Sequence, residues 1–224
     1  MNKISQADNF KYLTVALVLL LLCMSIAQQF FDTSIQRLVQ STTVVTLLVA
    51  VWGVKERPLD FHKAFIYPVL IILTSFSGYW LDNLGLEYMH LLVMLVFFIS
   101  TAYQTANQVL FKGEVDGNKI LGSICLYFLL GLIFALLFCL IYLNSDTAFN
   151  GIEDNLAWYI ILPEFVYFSF VTLTTLGYGD ISPVQPLAKF MVYIEAIIGQ
   201  FYLAILVASL VGSSMSSIYR KQSH

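Results

Sequence analysis

The fold class this sequence predicts is an all-α membrane protein, with six transmembrane helices and a shorter apolar segment between the fifth and sixth. Three observations carry the prediction. Hydrophobic residues fill 59% of the 224 positions and charged residues only 11%, with a mean hydropathy of +0.81, whereas a soluble domain carries roughly a quarter charged residues. The apolar residues are gathered into six runs close to the ~20 residues that a helix needs to cross a hydrocarbon core. Before the last run stands a stretch that is polar and punctuated by glycine, a kind of backbone that survives at membrane depth only inside protein or beside water.

The six runs cover residues 12–31, 38–54, 64–81, 88–111, 119–143 and 186–213. The first has the length of a span and ends in Gln28, Gln29 and aromatics without a small-residue cleavage site, so a span rather than a secretory signal is expected. The second and third are short, and Pro68 falls early in the third, where a missing N–H is tolerated. With six crossings both ends of the chain lie on one side. That side collects Lys3, Lys11, Lys55, Arg57, Lys63, Lys112, Lys119, Arg220 and Lys221, and the other holds only Arg37 and Lys189 beside acids such as Asp146, Glu153, Glu164 and Asp180. The positive-inside rule then predicts cytoplasmic termini in a multi-pass cell membrane protein. A net charge of -3 without a basic run gives no ground for nucleic-acid binding. Cys23, Cys125 and Cys139 are far apart inside apolar runs, so neither a disulfide framework nor a zinc site is expected.

The insertion between the fifth and sixth runs spans residues 144–185. Its apolar part, PEFVYFSFVTLTT from Pro163 to Thr175, would reach only about 18 Å as a helix, short of a core about 30 Å thick. It is therefore expected to dip in and return. Pro163 is expected at the first helical position and Glu164 in the first turn, beside the positive end of the helix dipole. The returning stretch TLGYGD exposes carbonyls that need a partner, and a cation is one. Gly177 and Gly179 adopt positive φ cheaply, which lets successive carbonyls turn the same way rather than alternate as in a strand. One chain offers one carbonyl per level, so surrounding a dehydrated ion takes several copies about an axis.

Thr174-Thr175-Leu176-Gly177-Tyr178-Gly179-Asp180 resembles the selectivity filter of tetrameric potassium channels, with leucine where valine is usual. The resemblance covers residues 118–221 and includes Pro163, the aromatic pair Tyr167 and Phe168, and Gly199 at the place of the family's inner-helix hinge. It implies a potassium-selective ion channel, a homotetramer of the bacterial type in a plasma membrane, with a pore helix and filter between helices five and six. Carried over, Thr175 (hydroxyl and carbonyl) and the carbonyls of Leu176, Gly177 and Tyr178 would bind K⁺, Gly179 would complete the filter, and Asp180 and the Tyr178 ring would brace it. K⁺ is the only ligand implied, and no cofactor. Some relatives pair the aspartate with an acidic residue on the pore helix where this chain has Val171. That pair is impossible here, and Asp180 is expected to lean on Tyr167 instead.

On the sixth run, Gln200, Leu203, Val207, Val211 and Met215 recur every three or four residues and form one stripe. The resemblance turns it toward the pore, where an apolar constriction closes by dewetting; packing against neighbours is the alternative. Gly199 is read either as a hinge or as a site of close helix packing. Glu195, an ionisable residue inside a span, is expected behind the filter, bonded to pore-helix hydroxyls such as Thr172 or Thr174 or to a neighbouring subunit, as a functional group or as a protonated structural one.

The chain divides into a four-helix membrane domain, 1–117, and a pore domain, 118–224. The layout resembles that of voltage-gated channels, yet the fourth run, YMHLLVMLVFFISTAYQTANQVLF, carries no arginine or lysine. Strong voltage gating is not expected. His90 in that run is read as an interfacial polar residue or a pH sensor. A potassium transporter subunit and a non-conducting regulatory subunit remain as rival readings. No nucleophile-base pair or phosphate-binding glycine loop points to an enzyme.

Overall fold

The computed structural model describes residues 9–32, 36, 70, 71, 73, 74, 84–111, 117–153 and 157–222, with the side chains beyond Ser209 excepted. The described chain is mostly helical. In order it forms α1 (Asn9–Phe30), α2 (Leu84–Phe111), α3 (Gly117–Asn144), a 3-10 turn (Asp146–Ala148), β1 (Phe149–Asn150), α4 (Trp158–Leu173), β2 (Ser182–Pro183) and α5 (Pro186–Gln222). Among the described residues four helices, α1, α2, α3 and α5, are long and apolar enough to cross a membrane. They coincide with the runs 12–31, 88–111, 119–143 and 186–213. The runs 38–54 and 64–81, apart from four residues of the latter, lie outside the described residues, as do Pro68, Lys3, Lys55, Arg57, Lys63 and Lys112.

α3 is the organising element, because α1, α2, α4 and α5 all pack against it. A helix enclosed in this way has to be apolar all round. Leu129, Leu132, Phe134, Ala135, Leu136, Phe138 and Cys139 of α3 are all buried. Thr14 on α1 adds a polar contact, its Oγ1 3.0 Å from Cys125 Sγ on α3. Cys125 and Cys139 are buried and free, and Cys23 is exposed and free. α5 leans on α3 and α4 with one face only. Its other residues, among them Phe190, Tyr193, Ile197, Phe201 and Ile205, stay exposed.

The short helix α4 is seated in an aromatic cluster. Phe165 and Phe168 lie 6.1 and 5.3 Å from Phe138 and 4.9 and 5.8 Å from Phe149, by ring centroids. Tyr142 closes the cluster at 5.8 Å from Phe165 and donates its hydroxyl to the Glu153 carbonyl at 2.7 Å. Each edge-on or tilted aromatic pair adds about 0.5–1.5 kcal/mol beyond the area it buries, so these five pairs around one helix fix its axis firmly. Gln28 on α1 reaches the same helix and donates to Glu164 Oε1 at 2.5 Å.

The start of α4 differs from the sequence expectation. The helix opens at Trp158, and Pro163 sits inside it rather than at its first position. Trp158 is buried and its ring lies 4.5 Å from that of His90 on α2. This burial anchors an opening turn that has no side-chain cap at Ala157, with Ile160 N–H and Ile161 N–H both donating to the Ala157 carbonyl. Pro163 then costs one backbone bond, the one its missing N–H would have given to Tyr159. Glu164 consequently belongs to the second turn, and its partner is Gln28 rather than the helix dipole.

β1 and β2 pair antiparallel, Phe149 opposite Pro183 and Asn150 opposite Ser182. Val184 N–H donates to the Ala148 carbonyl at 2.8 Å, and the Gln185 amide donates to Ser145 Oγ at 2.6 Å and Thr147 Oγ1 at 3.2 Å. The segment carrying α4 therefore leaves and returns at one place beside the end of α3.

Candidate functional site

The stretch from Thr174 to Asp180 begins as the cap of α4. Thr175 N–H donates to Thr172 O at 3.0 Å, and Leu176 N–H donates to Val171 O at 2.9 Å. This 5→2 and 6→1 pair is the Schellman arrangement, which requires a left-handed residue at the position after the cap. That residue is Thr175, with φ 60°. A β-branched side chain there is a true outlier, where glycine would save about 1–2 kcal/mol. Gly177 N–H also points back to Val171 O, at 3.3 Å. The Val171 carbonyl thus holds the first half of the turn in place.

Positive φ recurs at every second residue: Thr175 at 60°, Gly177 at 59° and Gly179 at 81°. Alternating hands of φ allow consecutive C=O groups to turn to a common side instead of alternating as in an ordinary strand. A Cβ added at Gly177 or Gly179 would meet nothing within 4 Å. Glycine is needed at both for conformation, not for room. The carbonyl oxygens of Thr175, Leu176, Gly177 and Tyr178 accept no hydrogen bond from a described residue, and all six residues from Thr175 to Asp180 are exposed in the single chain. A run of exposed carbonyl acceptors without donors among the described residues is chemically suited to a cation.

Behind this row stands Tyr167. Its hydroxyl donates to Asp180 Oδ2 at 2.6 Å, and its ring stacks on that of Tyr178 with centroids 6.4 Å apart and planes 12° from parallel. Asp180 Oδ1 accepts from Ile181 N–H at 3.0 Å. The Tyr167 hydroxyl, with the Ile181 amide, holds the Asp180 carboxyl below the usual carboxylate range, while the same bond to Asp180 pushes the Tyr167 phenol up to about 12. The aromatic pair Tyr167 and Phe168 is split by the fold: Tyr167 faces the filter-like turn and Phe168 enters the buried cluster. Thr174 spends its hydroxyl on its own helix, donating to Phe170 O at 2.6 Å.

Two residues of α5 press on the end of α4. Gly199 lies so close to Leu173 that an added Cβ would sit 2.7 Å from the Leu173 carbonyl oxygen. The contact leaves no room for a side chain at Gly199, on a helix that continues without interruption from Pro186 to Gln222. Glu195, one turn earlier, is fully buried and meets Ser169, one turn before Leu173. The partner is a hydroxyl of α4, as expected, but it is Ser169 rather than Thr172 or Thr174: once Gly199 faces Leu173, the residue four positions back faces Ser169. Further along, Tyr202 donates to the Ser123 carbonyl at 2.6 Å and stacks on Tyr127 at 5.8 Å, holding α5 to α3.

Gln200, Leu203 and Val207 are exposed in the single chain, which suits either a lumen or a neighbouring copy. Val211 and Met215 lie on the same helix, with side chains outside the described residues. His90 is buried within the protein, its Nδ1 2.9 Å from Thr74 Oγ1. Sequence reasoning missed Ser169, Gln28 and the Gly131 carbonyl, which accepts from Ser169 Oγ at 2.8 Å. Their roles arise from contacts between distant segments and leave no local signal.

Residues 122–213, from α3 through the turn to α5, match the model of a family described as "Ion channel". No curated protein and no solved structure matches the chain. The family match and the four long apolar helices support an ion channel in a membrane.

Proposed function

We propose that the chain is one subunit of a homotetrameric potassium channel that conducts K⁺ passively across the cell membrane, with both termini cytoplasmic. The observation that carries this reading is the alternating positive φ at Thr175, Gly177 and Gly179, beside four carbonyls that no described residue engages. A dehydrated ion needs oxygen on all sides, and four such turns about an axis supply it. In this reading the Thr175 hydroxyl and the carbonyls of Thr175, Leu176, Gly177 and Tyr178 replace the water around K⁺, and Gly179 finishes the turn. Tyr167, Val171, Thr174, Asp180 and Glu195 hold the turn from behind. Gln200, Leu203, Val207, Val211 and Met215 line the path below it.

α4 enters the membrane from the outer face and returns, with its C-terminal, negative end aimed at the ion path. Residues 118–224 form the pore domain, and residues 1–117 form a surrounding membrane domain without gating charges. The exposed apolar face of α5 is then covered by the neighbouring subunits.

The test is ion flux in liposomes containing the purified protein alone. K⁺ flux that Ba²⁺ blocks, with Na⁺ excluded and a fourfold mass in native mass spectrometry, is the expected result. Equal passage of Na⁺ and K⁺, no flux, or an assembly other than fourfold overturns the proposal.

A further inference from the structure

Glu195 is 0% exposed already within a single chain, so a neighbouring subunit has no access to it. Its Oε1 meets Ser169 Oγ, and its Oε2 has no hydrogen-bond partner among the described residues. No cation among them acts on it. Tyr127 on α3, whose hydroxyl is likewise buried without a hydrogen-bond partner among the described residues, is the ionisable group that interacts with Glu195 electrostatically.

The proton count at Ser169 decides what Glu195 is. Ser169 Oγ lies 2.8 Å from the Gly131 carbonyl oxygen as well as against Glu195 Oε1. A serine hydroxyl has one proton to give and lone pairs with which to accept, while a carbonyl only accepts. If the Ser169 proton goes to Gly131, the contact with Glu195 must be filled by a proton from the acid. The opposite assignment leaves a buried anion with one oxygen unpartnered and no counter-charge among the described residues, the costliest state a buried carboxyl has.

We propose that Glu195 is a neutral, protonated acid that donates to Ser169, which donates to Gly131. The relay joins α5, α4 and α3 one turn behind the Leu173–Gly199 contact, so that a movement of α5 reaches the selectivity filter through the last turns of α4. The acid is a positioning residue: it touches no ion and acts through Ser169. The coupling to the filter rests on the channel reading above, and the protonation does not.

Two measurements test it. Infrared difference spectra between the wild type and Glu195→Gln, in reconstituted membranes at neutral pH, should lose the carbonyl band of a protonated carboxylic acid. Loss of the paired carboxylate bands instead overturns the protonation. Second, the K⁺ concentration that half-maximally protects the protein against heat should rise about tenfold or more in Glu195→Ala and in Ser169→Ala, as expected for a broken buried hydrogen bond. The double variant should add little to either, and Glu195→Gln, whose amide still donates, should stay near the wild type. Additive effects of the two alanines overturn the relay. A wild type with no K⁺ dependence at all overturns the channel reading and the coupling with it, while the infrared result decides the protonation independently.

Discussion

The Tyr167 hydroxyl donates to Asp180 Oδ2 at 2.6 Å while the Tyr167 ring lies flat against Tyr178. One side chain therefore holds both Tyr178, the last of the four carbonyl-bearing residues, and Asp180, two positions further on.

Tyr167→Phe separates these two functions, since it keeps the ring and removes the donor. The expected outcome is a pore that still selects K⁺ but loses conduction faster during sustained opening. Recordings from single channels in planar bilayers check this, and unchanged open-state lifetimes would remove the hydrogen bond from the account of filter stability.

The pH dependence of this brace follows from the two shifts. The Asp180 carboxyl is lowered from 3.8, so its contribution is full above 3.8 and is lost as pH falls through its still lower value in the folded protein. The Tyr167 phenol is raised from 10.0 to about 12, so its contribution is full below 10.0 and is lost as pH rises toward about 12. Between 3.8 and 10.0 the brace does not titrate. The difference in heat stability between wild type and Tyr167→Phe should stay constant across that window, in a series of melting curves at fixed K⁺.

Gly177 and Gly199 should respond differently to alanine. Gly177→Ala meets no neighbour but forces a side chain onto φ 59°, a cost of about 1–2 kcal/mol that falls on the carbonyl row itself. Loss of K⁺ over Na⁺ selectivity is expected. Gly199→Ala drives a methyl into the Leu173 carbonyl, and overpacking of this kind costs about 1–3 kcal/mol. It should lower the melting temperature and shift α4, visible as altered ion affinity rather than as altered bending of α5.

Opening should depend little on membrane voltage. α2 carries no lysine or arginine along its whole length, and each elementary charge moved through 100 mV is worth about 2.3 kcal/mol. A conductance–voltage curve with a slope below one elementary charge is expected. A steep curve would place gating charges elsewhere in the chain.

The sequence was most legible where a residue type has one physical use. Paired glycines at Gly177 and Gly179 read directly as positive φ, and the long apolar runs read as spans. Thr175 did not, because threonine at φ 60° contradicts its own preference and is held there by the cap of α4. Pro163 misled for a related reason: proline is a good helix opener, but the buried Trp158 begins the helix earlier without any capping residue to announce it. Glu195 stood out as a charge in a greasy run, yet its partner depended on how α5 meets α4. That register is set by Gly199 against Leu173 and is invisible to local pattern.

The two-residue ladder between β1 and β2, with Gln185 reaching back to Ser145 and Thr147, brings the two ends of the intervening stretch together. Everything between is consequently a cassette with coincident entry and exit. Such a unit moves only together with its seat, because α4 within it packs on α3 and meets α5 at Ser169–Glu195 and at Leu173–Gly199. A graft of this stretch into another host is therefore bounded at Ser145 and Gln185 and has to carry the α3 and α5 residues that α4 touches.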